Sequence, residues 1–139
     1  MKISFFIPGE PVALARHRYT ITKGKIHNYD APKNAEYKAL VAMMAAKEMY
    51  GMAPMDKPVA VTITVHKQVP QSWSKKRQKE ALSGEIRPTG RPDIDNYIKA
   101  VFDGLNQIVF KDDSQVTHVT ACKMYSTTPG MSVVAAELQ

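Results

Sequence analysis

Between Val59 and Val65 the chain sets Val59, Val61, Ile63 and Val65 at every second position, with Ala60, Thr62 and Thr64 between them. Successive strand side chains point to opposite faces, so this alternation predicts a strand with its odd positions buried. Such a strand needs neighbours in a sheet and a layer to cover its apolar face. Tyr37, Leu40, Val41 and Met44 recur at i, i+3, i+4 and i+7 and predict a covering helix, started at Asp30-Ala31-Pro32 and stopped after about Tyr50 by Gly51 and Pro54. A second long helix is expected from near Asp95 to about Gln107, with Ile94, Ile98, Val101, Leu105 and Ile108 on one side and Phe102 at its margin.

The remaining elements follow from turn signals. Lys2–Ile7 reads as an opening strand ended by Pro8-Gly9. Tyr19–Thr22 and Ile26–Tyr29, split by Lys23-Gly24-Lys25, read as a small hairpin. Ser74 caps a short basic helix that runs to about Leu82. Gln115–Tyr125 and Met131–Leu138, separated by Pro129-Gly130, are expected to form a closing hairpin. The sum is an α+β fold, a single compact domain over residues 1–139, with a mixed, mostly antiparallel sheet packed by two long helices.

A chain of 139 residues with 44% hydrophobic content can bury a core without disulfides. The lone Cys122 excludes an internal disulfide and a cysteine zinc site, and fits a reducing cytoplasm. The apolar run at Ile3–Ile7 is too short for a signal peptide, and no segment reaches the ~20 apolar residues of a membrane helix. No Gly-rich phosphate loop is present, which argues against a small-nucleotide enzyme and a small-molecule cofactor.

Charge is distributed unevenly. The formal net charge is +6, yet five of the thirteen carboxylates fall between Asp93 and Asp113. From His66 to Arg91, seven Lys or Arg residues (Lys67, Lys75, Lys76, Arg77, Lys79, Arg87, Arg91) stand against Glu80 and Glu85. Carboxylates packed that closely repel and raise one another's pKa unless a cation sits among them. Acids gathered on a basic protein suit a metal-dependent enzyme acting on nucleic acid, the cations meeting phosphate and the acids holding the ion.

On the second helix Asp95, Lys99 and Asp103 are i, i+4 neighbours, which places one lysine between two carboxylates. Asn96 shares that side. Asp93 precedes the helix, after Pro92. Asp112 and Asp113 lie on the loop beyond it, where a fold-back is possible. Mg²⁺ takes oxygen ligands and keeps several waters, so two or three of these acids with a substrate phosphate complete a shell. Each part has a plainer reading. Asp-x-Asp at a helix start is also an N-cap, Asp112-Asp113-Ser114 a turn, and Asp103 with Lys99 a surface ion pair.

The run Arg91-Pro92-Asp93-Ile94-Asp95-Asn96-Tyr97-Ile98-Lys99-Ala100-Val101-Phe102-Asp103-Gly104-Leu105-Asn106, followed by Val109-Phe110-Lys111-Asp112-Asp113-Ser114-Gln115-Val116, resembles the core signature of the RusA family. These are Holliday junction resolvases of phages and their bacterial hosts. Phe6-Ile7-Pro8-Gly9-Glu10-Pro11 and Pro70-Gln71-Ser72-Trp73-Ser74-Lys75-Lys76 are similar to its phage branch. The resemblance implies metal-binding catalytic carboxylates at Asp93, Asp95 and Asp113, with Asp112 the alternative to Asp113, and Lys99 as the essential lysine. Asn96 and Asp103 take supporting roles. It further implies Mg²⁺ with Mn²⁺ as a substitute, a homodimer acting on four-way DNA in recombination and repair, and 5′-phosphate and 3′-hydroxyl ends. The link Gln107–Lys111 is compact, and its length varies within the family.

Two-fold symmetry gives the dimer an independent argument, since one acidic cluster supplies one nick and a junction needs two matched ones. The Met-rich first helix and an edge strand are both candidates for its interface. DNA contacts are expected from Arg16, Arg18, Lys23, Lys25, Lys75, Lys76, Arg77, Lys79, Arg87 and Arg91, mostly to phosphate. His17, His27, His66 and His118 read as surface or packing residues. Trp73 reads as a packing residue, with stacking on an unpaired base as the alternative. The competing functions are a flap or branched-DNA nuclease and a non-catalytic DNA-binding module.

Overall fold

In the computed structural model, residues 1–13, 18–22, 25–29 and 32–139 are described, and of 18–22, 25–29 and 32 the backbone alone. The elements are β1 (Lys2–Pro8), β2 (Arg18–Thr22), β3 (Lys25–Tyr29), α1 (Pro32–Met49), β4 (Val59–Gln68), α2 (Lys75–Leu82), α3 (Ile94–Leu105), a 3-10 turn (Asp113–Gln115), β5 (Val116–Ser126) and β6 (Gly130–Glu137). Arg16, His17, Lys23 and the Asp30-Ala31 helix start lie outside the described residues.

Four strands form one sheet in the order β1-β6-β4-β5. β1 pairs with β6 and β6 with β4 antiparallel, while β4 and β5 run parallel from Ala60 opposite His118 to Gln68 opposite Ser126. β2 and β3 pair antiparallel as the separate hairpin expected over Tyr19–Tyr29, each strand beginning one residue earlier than expected. The sheet is mixed and mostly antiparallel, and the fold is α+β.

The expected closing hairpin is not formed, because β4 lies between β5 and β6 and pairs with both. Strands on either side of a third are ~10 Å apart. The link through Thr127, Thr128 and Pro129 is long enough to cross that gap, at about 3.3–3.6 Å per residue. A turn signal records that the chain reverses, and says nothing about what sits between the reversed strands. Burial decides the position: Val59, Val61, Ile63 and Val65 of β4 are all buried, whereas Val119 on β5 is 47% exposed. The strand whose alternate apolar side chains are all buried takes an interior position and β5 the edge.

The covered face of the sheet, made by Ile3, Phe5 and Ile7 of β1, the odd positions of β4, and Met131, Val133 and Ala135 of β6, packs under the helices. α1 contributes Tyr37, Val41, Ala45 and Met49, and α3 contributes Tyr97, Val101 and Leu105. α3 stops two residues before the expected Gln107. The Asn106 N–H still bonds the carbonyl of Phe102, but Gln107 turns to φ 67° and its N–H goes to Phe110. Ile108 therefore lies beyond the helix and packs against the core from a turn. Among the described residues no helix is long and apolar enough to cross a membrane.

Gly104 fixes the approach of α1 to α3. A Cβ there would lie 2.5 Å from Cγ1 and 2.6 Å from Cβ of Val41. Alanine improves helix propensity over glycine by about 1 kcal/mol, but overpacking a tight core costs about 1–3 kcal/mol. Gly104→Ala should therefore lower the unfolding free energy in urea titration despite the better helix former. A variant as stable as the parent would show that the two helices part freely.

Candidate active site

The α3 start is built differently from that of α2. Ser74 caps α2 through its hydroxyl, which accepts the Arg77 N–H at 3.2 Å. Asp93 occupies the same position on α3 with extended backbone (φ −69°, ψ 149°), yet its side chain makes no capping bond. Only its backbone takes part, the carbonyl accepting from the Asn96 N–H at 3.2 Å. Asp95 follows in the first turn, where the helix dipole favours negative charge. Both carboxylates are exposed, and neither has a side-chain hydrogen bond or ion pair with a described residue. The N-cap reading of Asp93 thus holds for the backbone and not for the side chain.

Lys99 forms ion pairs with Asp103 and Asp113 and none with Asp95. Its Nζ lies 3.1 Å from Asp103 Oδ1 and 3.6 Å from Asp113 Oδ2. Asp103 is one of the two i, i+4 carboxylates that the spacing offers, and the second ion pair comes from the 3-10 turn, which packs beside α3 and offers a carboxylate beyond the reach of sequence spacing. Asp103 is shared in turn with Lys38 of α1, whose Nζ is 3.6 Å from Oδ2. The hydrogen bond to Asp103 raises the pKa of Lys99 above the ordinary lysine value, and the charges of Asp103 and Asp113 add to it. Burial of the amine is slight and only partly offsets them.

Asp112 and Asp113 separate by contact. Asp112 caps the 3-10 turn, its Oδ2 accepting the Ser114 N–H at 3.0 Å. Gln115 closes the reciprocal half of the capping box, its Oε1 accepting the N–H groups of Lys111 at 2.9 Å and Asp112 at 3.1 Å. The same amide donates through Nε2 to the carbonyls of Met55 at 2.8 Å and Lys57 at 3.1 Å, which pins the turn to the segment before β4. Asp113 is thereby aimed at Lys99. Gln115 and Lys38 are the site residues that sequence reasoning gave no role. The Asp112-x-x-Gln115 spacing is a legible capping box, whereas nothing in the sequence points from Lys38 to Asp103.

The basic stretch lies on the surface. Lys75, Lys76, Arg77 and Lys79 of α2 and Arg87 and Arg91 of the following segment are exposed, and none forms an ion pair with a described residue. The Arg77 guanidinium lies 4.0 Å over the Trp73 ring, and Trp73 meets Tyr125 of β5 edge-on at 5.3 Å. The indole therefore packs α2 to the sheet edge. Arg18 begins β2, and Arg16 lies outside the described residues. His66 bonds Ser132 at 3.0 Å and meets Phe6 edge-on, and His118 bonds Thr117, so both are packing or surface groups. Asn96 is half-buried in the first turn of α3. Among the described residues no three of His, Cys, Asp or Glu are gathered closely enough to enclose an ion.

An acidic helix start, a lysine held by two carboxylates and a run of cations without an ion pair to a described residue are parts an endodeoxyribonuclease can use, and similarity to known proteins supplies that class. The chain belongs to the RusA endodeoxyribonuclease family, which it matches over residues 8–135. It is also 39% identical over 138 residues to the uncharacterized protein YqaN of Bacillus subtilis (strain 168), an alignment that covers 98% of this chain and 96% of YqaN.

The Ser114 hydrogen bonds hold the Asp112 carboxyl below the usual carboxylate value. A depressed folded pKa adds stability that is complete above the unfolded value and is lost as pH falls through the folded one. The stability difference between the parent and Asp112→Ala should therefore shrink as urea titrations move from neutral pH down through the carboxylate range. A difference that stays constant or grows on acidification would contradict the cap.

Proposed function

We propose that this chain is a Mg²⁺-dependent endonuclease that resolves four-way DNA junctions by paired symmetric nicks, with Mn²⁺ able to replace Mg²⁺. The observation that carries this reading is the pair of exposed carboxylates, Asp93 and Asp95, which make no side-chain hydrogen bond or ion pair with a described residue and stand at the start of the helix that carries Lys99. Family membership supplies the nuclease class, and the six exposed cations of α2 and the segment after it, none in an ion pair with a described residue, supply the complement for phosphate.

The donor set fits the ion. Mg²⁺ is commonly held by one or two carboxylates, with waters and substrate phosphate completing its shell, so an open pair of acids suffices where a closed three-acid cage does not form. Asp93 and Asp95 are assigned as the holders. On this reading Asp113 would have to turn from Lys99 to join them, and Asp112 is left to its own turn. When bound, the ion supplies an activated water and neutralises developing charge on the phosphate.

Lys99 acts as a fixed cation. The carboxylates of Asp103 and Asp113 keep its amine protonated, so it presents positive charge to the transition state and does not serve as a base. Asp103, held from its other oxygen by Lys38, sets where that amine points. One chain offers one such site, so two chains about a two-fold axis match the two strands of a junction.

The test is a labelled synthetic four-way junction incubated with the protein, with and without Mg²⁺, and the nicks mapped. Symmetric Mg²⁺-dependent nicks near the branch support the reading. Equal cutting of flaps and single strands would make it a general branched-DNA nuclease, and binding without cutting at any Mg²⁺ or Mn²⁺ level an architectural module. Asp93→Asn and Asp95→Asn should abolish cutting while junction affinity holds or improves, because less negative charge then faces the phosphates. Loss of affinity in either variant would contradict the assigned role.

Lys99 gives a sharper prediction. Lys99→Met should slow cutting by about 10²–10³-fold, the usual effect of removing one transition-state charge partner. Lys99→Arg, which keeps the charge, should recover part of that loss. An Arg variant as slow as the Met variant would favour a proton-transfer role.

A further inference from the structure

We infer that Lys123 is a positioning residue for this site, holding in place the segment that delivers Asp93 to the start of α3. Lys123 lies on β5 opposite Val65 of β4. Its Nζ donates to the carbonyl of Gly90 at 2.9 Å and to that of Pro92 at 3.1 Å. The Pro92 carbonyl belongs to the peptide bond that leads into Asp93.

The local sequence offers no substitute for this hold. Residues 87–93 form neither helix nor strand, and the Asp93 side chain makes no capping bond to tie the helix start together. The restraint on Asp93 comes instead from a strand 31 residues further along the chain. Bonds from an ammonium to carbonyls are charge-assisted and stronger than neutral ones. They also leave the acids free, since Lys123 makes no ion pair with a described residue. A lysine paired directly with Asp93 would occupy the oxygens that a divalent cation needs. Through the backbone, the same charge fixes where the carboxylate starts while leaving it open, which is the preorganisation that metal affinity depends on. A phosphate contact is the competing role for an edge-strand lysine. Two of the three Nζ protons are already committed to carbonyls here, which disfavours it.

The inference rests on the proposed metal site for its functional consequence but not for its geometry, and the test separates the two. Lys123→Met keeps the aliphatic stem and removes the donors, and Lys123→Arg restores donors. In metal-free protein, amide exchange over residues 88–95 should quicken by about tenfold in Lys123→Met and return most of the way in Lys123→Arg. Calorimetric titration with Mn²⁺ should show the dissociation constant raised by about 10–100-fold in Lys123→Met. The Mg²⁺ concentration for half-maximal junction cutting should rise in parallel, with the rate at saturating Mg²⁺ close to that of the parent. Unchanged exchange over residues 88–95 overturns the inference whatever the activity. So does weaker junction binding, or a slower saturated rate, at unchanged metal dependence, since Lys123 would then act on DNA or on the chemistry. If the parent neither binds Mn²⁺ nor cuts any branched DNA, the proposed function fails while the exchange data still decide the positioning role. Should Lys123→Met not fold, Lys123→Gln, with one neutral donor, is read by the same measurements and should fall between the other two.

Discussion

The contact of Gly104 with Val41 sets how closely α3 can lie against α1, and the acids on α3 take their positions from it. Asp103 precedes Gly104 in the chain, so the approach that seats the glycine also brings Asp103 within 3.6 Å of Lys38. Asp103 then orients Lys99, and Lys99 meets Asp113. Packing and electrostatics run in one line here, from a missing methyl group to the position of a charged amine. The buried stripe of Tyr97, Val101 and Leu105 anchors the other side of the helix, so α3 has little freedom to rotate away from that arrangement.

The charged groups divide by whether the protein satisfies them. Lys38, Asp103, Lys99 and Asp113 form a chain of alternating sign, and Asp112 is committed to its cap. Asp93, Asp95 and the α2 cations make no ion pair with a described residue. Exposed ion pairs contribute little stability, so the chain centred on Lys99 is better understood as geometry than as folding energy. Groups a protein leaves unsatisfied at its surface, beside others it holds carefully, are the ones available to a ligand. The same economy explains Lys123, whose charge is spent on backbone carbonyls next to the acids while the acids stay open.

Much of the fold was legible because periodicity and turn chemistry act locally. The alternation at Val59–Val65, the stripe on α1, the Ser74 cap and the acidic start of α3 each appear where neighbouring residues put them. The closing hairpin was not legible, since Pro129-Gly130 reports a reversal and β4 enters between the strands from far away in sequence. The site divided along the same line. Lys99–Asp103 follows from helical spacing, and the capping role of Asp112 follows from the Gln115 three residues on. The Lys99–Asp113 pair, the Lys38 contact and the Lys123 hold join residues brought together only by packing, and no spacing encodes them. Spacing offered Lys99 both Asp95 and Asp103; it pairs with Asp103 and with the longer-range carboxylate of Asp113.

On the proposed function, this separation of charge also bears on how binding and cutting relate. A bare pair of carboxylates repels a phosphate backbone, and the cations of α2 and of Arg87 and Arg91 must offset that repulsion for the DNA to approach. Neutralising the acids, by a bound ion or by substitution with Asn, removes the opposing term without touching the attractive one. Affinity and catalysis are then carried by different residues, spaced along one stretch that begins at Lys75 and ends at Asp113. On that reading the protein can grip its substrate before the site is loaded, and the step from binding to cutting is controlled at the acids and Lys99.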